Sequence, residues 1–147
     1  PPNISCASLL FLELGMERDD ELRAILLTLP DIYRSGDIER YLEYYASDMT
    51  SYFDGKISSA HEACEFMRAL FSNGGRTLEF TTGDRSQVAF SESGDTATLC
   101  YPWREKFQFG DGSISEIECY QTEVWHYKSG RWKIVHVHLS LLNERKH

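Results

Sequence analysis

The stretch Gln121 to Leu142, QTEVWHYKSGRWKIVHVHLSLL, constrains the fold more than any other. Two runs rich in β-branched and aromatic residues flank Lys128-Ser129-Gly130, and that composition with that punctuation marks a β-hairpin. A hairpin with one wet face alternates apolar and polar residues. Here both faces carry large side chains: Val124 beside Trp125 on one arm, and Ile134, Val135 and Val137 on the other. The pair is therefore expected to be covered on both sides.

At 147 residues the chain is long enough for one domain with a real core. A net charge of −8 and a sequence pI near 5.1 argue against nucleic acid or an anionic membrane as a partner. Cys6, Cys64, Cys100 and Cys119 are scattered with no C-x-x-C pair, so free thiols in a reducing, cytoplasmic setting are expected and structural zinc is not. No apolar run approaches the roughly 20 residues that span a bilayer. Ile4 to Leu14 is as apolar as a short signal core, but no basic residue precedes it and helix-like sequence follows at once. Residues 1–18 are expected to form an ordered extension and 19–147 a single domain. A chain opening on Pro1 is expected to be a fragment or an engineered start.

Asp19 or Asp20 can cap a helix bearing Leu22, Ile25, Leu26, Leu29 and Tyr33 at helical spacing. Pro30 should kink that helix or end its regular part, and Ser35-Gly36 stops it. Asp37 then caps a shorter helix, Met49 to Phe53 reads as a strand, and Asp54-Gly55 as a turn. Ser59 with Glu62 makes a capping box for a third helix that buries Ala63, Phe66, Met67, Leu70 and Phe71. Strands follow over 76–90, with a possible break near Gly83-Asp84, and over 96–109, 113–127 and 131–142. This order implies an α+β domain: a cone-shaped, strongly curved antiparallel sheet wrapped around three helices, its mouth a natural pocket.

In Thr96 to Phe109 the odd positions, including Tyr101, Trp103 and Glu105, alternate onto the helix-covered face. Pro102 suggests an edge or a bulge. A three-residue loop at Gly110-Asp111-Gly112 sets Trp103 opposite Cys119 and Tyr101 opposite Gln121, with Glu123 and Trp125 on the same face. The last hairpin has two registers. A two-residue Ser-Gly loop places His136 beside Glu123, an acid/base pair, whereas a three-residue Lys-Ser-Gly loop places Val135 there. Serine suits a type I turn better than its mirror image, so the longer loop is expected. Val135, Val137 and Leu139 then line the cone. Val124, Trp132, Ile134, His136 and His138 point outward, and an outer face so apolar is expected to be a subunit interface. His136 and His138 lack a third ligand, so no metal is expected. Glu123 and Asp54 are the candidate catalytic carboxylates. Tyr52, Tyr101, Trp103, Glu105, Gln121, Glu123, Trp125, Val137 and Leu139 are the candidate pocket residues.

The order of elements from Glu21 onward resembles the nuclear transport factor 2-like superfamily. Ser35-Gly36-Asp37-Ile38-Glu39-Arg40-Tyr41 is similar to a segment of the association (hub) domain of calcium/calmodulin-dependent protein kinase type II. Thr122, Val124, Trp125, His126, Gly130, Trp132, Ile134, Val135, His136, His138 and Ser140 match the strand pair on which hub domains end. SnoaL-like proteins share the Tyr-Phe-Asp-Gly of 52–55 and a similar ending. Hub resemblance implies a homodimer or a ring of dimers. It also implies a pocket lined by three arginines, but the matching positions here are Trp103, Glu123 and Leu139.

The first expectation is thus a self-associating, hub-like domain whose cone takes a small, mostly apolar ligand, acting without a cofactor and leaning away from enzymatic function. The alternative is a cofactor-free SnoaL-like acid/base enzyme: an isomerase, cyclase or dehydratase. A third is a metal-free carbonic anhydrase-like relative, whose terminal His-His-His-Ser-Ser corresponds to His136-Val137-His138-Leu139-Ser140.

Overall fold

The computed structural model describes residues 17–147. The expected N-terminal extension therefore lies, through residue 16, outside the described residues. Helix α1 spans Arg18–Arg34 and α2 spans Ile38–Leu42. Strand β1 (Tyr45–Phe53) turns through Asp54-Gly55 into a short β2 (Lys56–Ser59), which the sequence pattern did not reveal. Helix α3 (Ala60–Ser72) follows, then β3 (Arg76–Thr82), β4 (Ala89–Phe90), β5 (Thr96–Gln108), β6 (Ile114–Lys128) and β7 (Arg131–Lys146).

The strands form one curved, unclosed sheet in the order β2-β1-β7-β6-β5-β3, with β4 also on β5, and the helices pack on its concave side. β1 runs parallel to β7 and every other pairing is antiparallel. Among the described residues no helix is long and apolar enough to cross a membrane.

Leu22, Leu26, Leu29 and Ile32 form the buried stripe of α1 and meet Ala97, Leu99, Tyr101, Trp125, Trp132, Ile134 and Val137 of the sheet. Each such side chain contributes roughly 1.5–3 kcal/mol of gross apolar burial. One expectation about α1 needs correction. Neither Asp19 nor Asp20 caps it: Glu17 holds the N-cap position without a side-chain bond, and both aspartates sit in the first turn, where they favour the positive end of the helix. Of the two effects expected of Pro30, it does not end the helix, which continues to Arg34. In α3 the Ser59–Glu62 capping box forms as read, but Phe66, expected inside, is 66% exposed.

The β5–β6 register agrees with the sequence, Trp103 opposite Cys119 and Tyr101 opposite Gln121. Pro102 keeps its place because β3 has ended at Thr82 and β4 has not begun. Its carbonyl accepts from Gly83 N, and its missing donor falls at a local edge.

The last hairpin corrects the expected turn. Lys128 pairs with Arg131, so the loop is the two-residue Ser129-Gly130, both at positive φ (54° and 77°), a type I′ geometry. The register then slips between Val124 and Trp125, leaving Val135 as an extra, bulged residue. The bulge reverses the facing of the arm halfway along. Trp132 and Ile134 turn inward into the core rather than outward, and Val137 stands opposite Glu123. His136 faces outward and does not meet Glu123.

Candidate functional site

The concave side holds a hydrogen-bonded chain of polar groups. Alternation along β5 and β6 aims Tyr101, Trp103, Gln121, Glu123 and Trp125 at the helices. Glu123 is fully buried. Its Oε1 accepts from the Tyr101 hydroxyl at 2.5 Å and from Gln121 Nε2 at 2.8 Å, and its Oε2 accepts from Trp125 Nε1 at 2.9 Å. Trp103 Nε1 donates to Gln121 Oε1 at 2.8 Å and fixes the amide's orientation.

The counter-ion is Arg85, which the sequence reading missed. It lies in the loop between β3 and β4, with its side chain only 8% exposed. Its guanidinium stands 3.7 Å from Glu123 Oε1, donates to the Tyr101 hydroxyl and covers the Tyr101 ring at 4.1 Å. Its Nη1 also donates to the Leu26 carbonyl at 3.2 Å. In an unbroken helix that carbonyl would accept the N–H of residue 30. Pro30 has none, so Arg85 fills an acceptor that proline left open. The misplaced proline was the sequence signal: it implied a buried carbonyl in need of a donor.

Nearer the β3 side, Glu105 accepts at one oxygen from the Tyr33 hydroxyl (2.6 Å) and from Thr77 (2.9 Å). Burial raises its pKa above the ordinary value, and the two hydroxyls offset part of that rise. Burial, with the charge of Glu123 nearby, also pushes Tyr41 up to about 12 and holds Tyr101 well above 10. These phenols are neutral donors at physiological pH.

Asp54 is the first residue of the exposed β1–β2 turn, at φ 48°, and does not enter the cone. Tyr52, expected in the pocket, faces the convex side, its ring 4.8 Å from that of His138. Val137 and Leu139 face the cone opposite Glu123 and Gln121. Val135, expected beside them, is the bulge. Two shallow depressions, of about 310 and 300 Å³, lie away from Glu123. One runs along Phe66, Leu70 and Phe109, and the other along Thr82, Pro102, Trp103 and Leu142.

The convex side is organised by cross-strand rows. One runs Ser59, Thr50, His136, Val124, Thr98; the next Ile57, Tyr52, His138, Thr122, Cys100; a third Ser140, Tyr120, Pro102. None of these thirteen positions carries Asp, Glu, Lys or Arg. Charged residues are 26% of the chain, so about three would fall on thirteen average positions. Charges return in the flanking rows, as the Arg104–Glu118 ion pair at one end and Lys133 at the other. Thr50 Oγ1 lies 2.7 Å from His136 Nδ1. Among the described residues no third His, Cys, Asp or Glu joins the two histidines in a group that could hold a metal ion. Cys64, Cys100 and Cys119 are free thiols, and Cys6 lies outside the described residues.

A family model described as a SnoaL-like domain matches residues 22–144. The chain is 28% identical over 127 residues to calcium/calmodulin-dependent protein kinase type II of Caenorhabditis elegans, covering 86% of this chain but only 17% of the kinase. Among solved structures, a putative calcium/calmodulin-dependent kinase II association domain from Exiguobacterium sibiricum is similar at TM-score 0.65 and 15% identity, covering 83% of this chain and 91% of that one. A type 2 hexachlorocyclohexane dehydrochlorinase (LinA) is similar at TM-score 0.67 and 12% identity, covering 88% and 91%. At those identities the likeness is one of fold, the nuclear transport factor 2-like cone.

Proposed function

Because the chain belongs to the SnoaL-like domain family, whose fold serves association domains and enzymes alike, we propose that it is a self-associating module that pairs two copies through the convex face of its sheet. The uncharged band carries the reading. Interface cores are depleted of charge and rimmed by polar groups, and this band has the Arg104–Glu118 pair and Lys133 as its rim. Five strands at about 4.8 Å and five rows at about 6.8 Å, the three uncharged rows with one flanking row on each side, give a footprint of roughly 800 Å², the size of one side of a standard stable interface. The band's own side chains suit a second copy: Val124, Tyr120, Tyr52 and Ile57 supply apolar and aromatic contact, and the threonines leave nothing charged to desolvate.

The concave side supports the same reading. Glu123 has three donors and a counter-ion, so it is tied into the core rather than poised to take a substrate's proton. In this reading the small, mostly apolar ligand sits at the open end of the cone, where Trp103, Leu139 and Phe53 remain partly exposed. Val124→Glu is expected to give a monomer with unchanged circular dichroism. Leu27→Glu, at an exposed position of α1, should leave the assembly intact. Equal masses for the two variants would refute the choice of face.

One observation favours a cofactor-free acid/base enzyme instead: Glu105 is a buried carboxyl with a raised pKa, held by two hydroxyls in an aromatic setting. Such an enzyme would exchange the α-hydrogens of a cyclic ketone probe in deuterated buffer. Glu105→Gln would abolish that exchange.

A further inference from the structure

We propose that His136 and His138 make the assembly pH-sensitive, holding two copies together when their imidazoles are neutral and releasing them on protonation. The proposal rests on the self-association reading above and specifies how that face is regulated.

Both histidines lie on β7, the middle strand of the five that carry the band, in two of its three uncharged rows. In a pairing centred on the band they lie away from the rim and lose water when the copies meet. Histidine is the side chain whose ordinary titration falls between about pH 5 and 8. Carrying an uncompensated charge into a desolvated interface is costly. Whether the charge is compensated can be read from the neighbours.

Across from His136 stand Thr50 on β1 and Val124 on β6, and across from His138 stand Tyr52 and Thr122. None of these is charged at neutral or mildly acidic pH. The Thr50 hydroxyl can donate to an unprotonated Nδ1 or accept from a protonated one, so it favours neither state. The other titratable groups in these rows are Cys100 on β5, Tyr52 on β1 and Tyr120 on β6, and His126 lies one row beyond on β6. The nearest carboxylate on the convex side of β6 is Glu118, already paired with Arg104 of β5; Glu123, opposite Val137, faces the cone, and Lys133 on β7 is a cation. Asp48, two residues before Thr50 on β1, is exposed to solvent. A two-fold pairing brings four such histidines into one interface, and like charges there repel.

The sign follows by linkage. If the dimer buries these imidazoles neutral, it binds fewer protons than two monomers do, so lowering the pH favours the monomers. One pH unit below its titration point, each buried imidazole raises the dissociation constant about tenfold. Two per protomer, and so four per dimer, should therefore weaken association by up to about 10⁴-fold between about pH 7.5 and about pH 5.5.

The experiment is sedimentation or light scattering of the whole chain across that range, beside the His136→Gln/His138→Gln variant. The proposal expects the native protein to dissociate at low pH while its circular dichroism holds, and the double variant, whatever its affinity at about pH 7.5, to lose the pH dependence of that affinity. A native dimer of constant affinity across the range would overturn the switch but leave self-association standing. So would a variant whose affinity still falls at low pH. A monomer at about pH 7.5 would refute the self-association reading, and the switch with it.

Discussion

Glu123→Gln tests whether the polar chain inside the cone is structural. The substitution is nearly isosteric but removes the charge that balances Arg85, whose side chain stays 8% exposed. It also turns one carboxylate oxygen into an amide donor. Tyr101, Gln121 and Trp125 all present donors to Glu123, so the new N–H₂ group meets one of them head-on. Losing a charge-assisted hydrogen bond costs about 1.5–3 kcal/mol. Leaving a buried partner unbalanced costs about 3–5 kcal/mol, and the two effects overlap. A loss of about 3–5 kcal/mol is expected, from a total that for such domains is typically about 5–15. Arg85→Met should cost less, because Glu123 keeps three donors. The double variant should cost less than the sum of the two by about 1–3 kcal/mol. Urea denaturation followed by tryptophan fluorescence measures all three, since Trp103 and Trp125 report on the network. A Glu123→Gln cost below about 1 kcal/mol, or strict additivity with Arg85→Met, would show that the network holds nothing together.

Other substitutions probe separate parts of the account. Glu105 has a folded pKa raised above 4.5 by burial, so its ionisation destabilises the fold. The penalty is absent below the unfolded value and present once pH exceeds the folded one. Glu105→Gln should therefore stabilise the protein at neutral pH and lose that advantage near pH 4, as thermal melts at the two pH values would show. Ser129 sits at φ 54° in a turn that prefers Asn or Gly, so Ser129→Asn should add roughly 0.5–1 kcal/mol, and a loss would argue against the two-residue turn. Ser59→Ala removes the N-cap of α3 and should cost about 1 kcal/mol in the same denaturation assay.

The sequence made the cone and much of its lining legible, because those features follow from local periodicity. Odd-numbered β5 residues point inward, and one glycine-rich loop set the β5–β6 register through to Trp103 and Gln121. The last hairpin was harder, since two deviations had to be found together. Ser129 accepts a left-handed conformation that serine disfavours, and Val135 then inserts an extra residue. The inward residues run Trp132 and Ile134 on even numbers, then Val137 and Leu139 on odd ones, and that change of phase is the trace of the bulge. Reading one phase through the whole arm sent Trp132 and Ile134 to the wrong face. Arg85 escaped notice because its partners, Leu26, Tyr101 and Glu123, are distant in sequence. Only Pro30, where a helix should have had a donor, hinted that such a residue was needed.

The native mass of the unmodified chain at micromolar concentration and about pH 7.5 tests the central claim most directly. Self-association through the convex face predicts an even multiple of the 17.0 kDa protomer, stable on dilution through the low micromolar range. A mass of one protomer throughout that range would contradict it, leaving the uncharged band on the outer face without the partner assigned to it here.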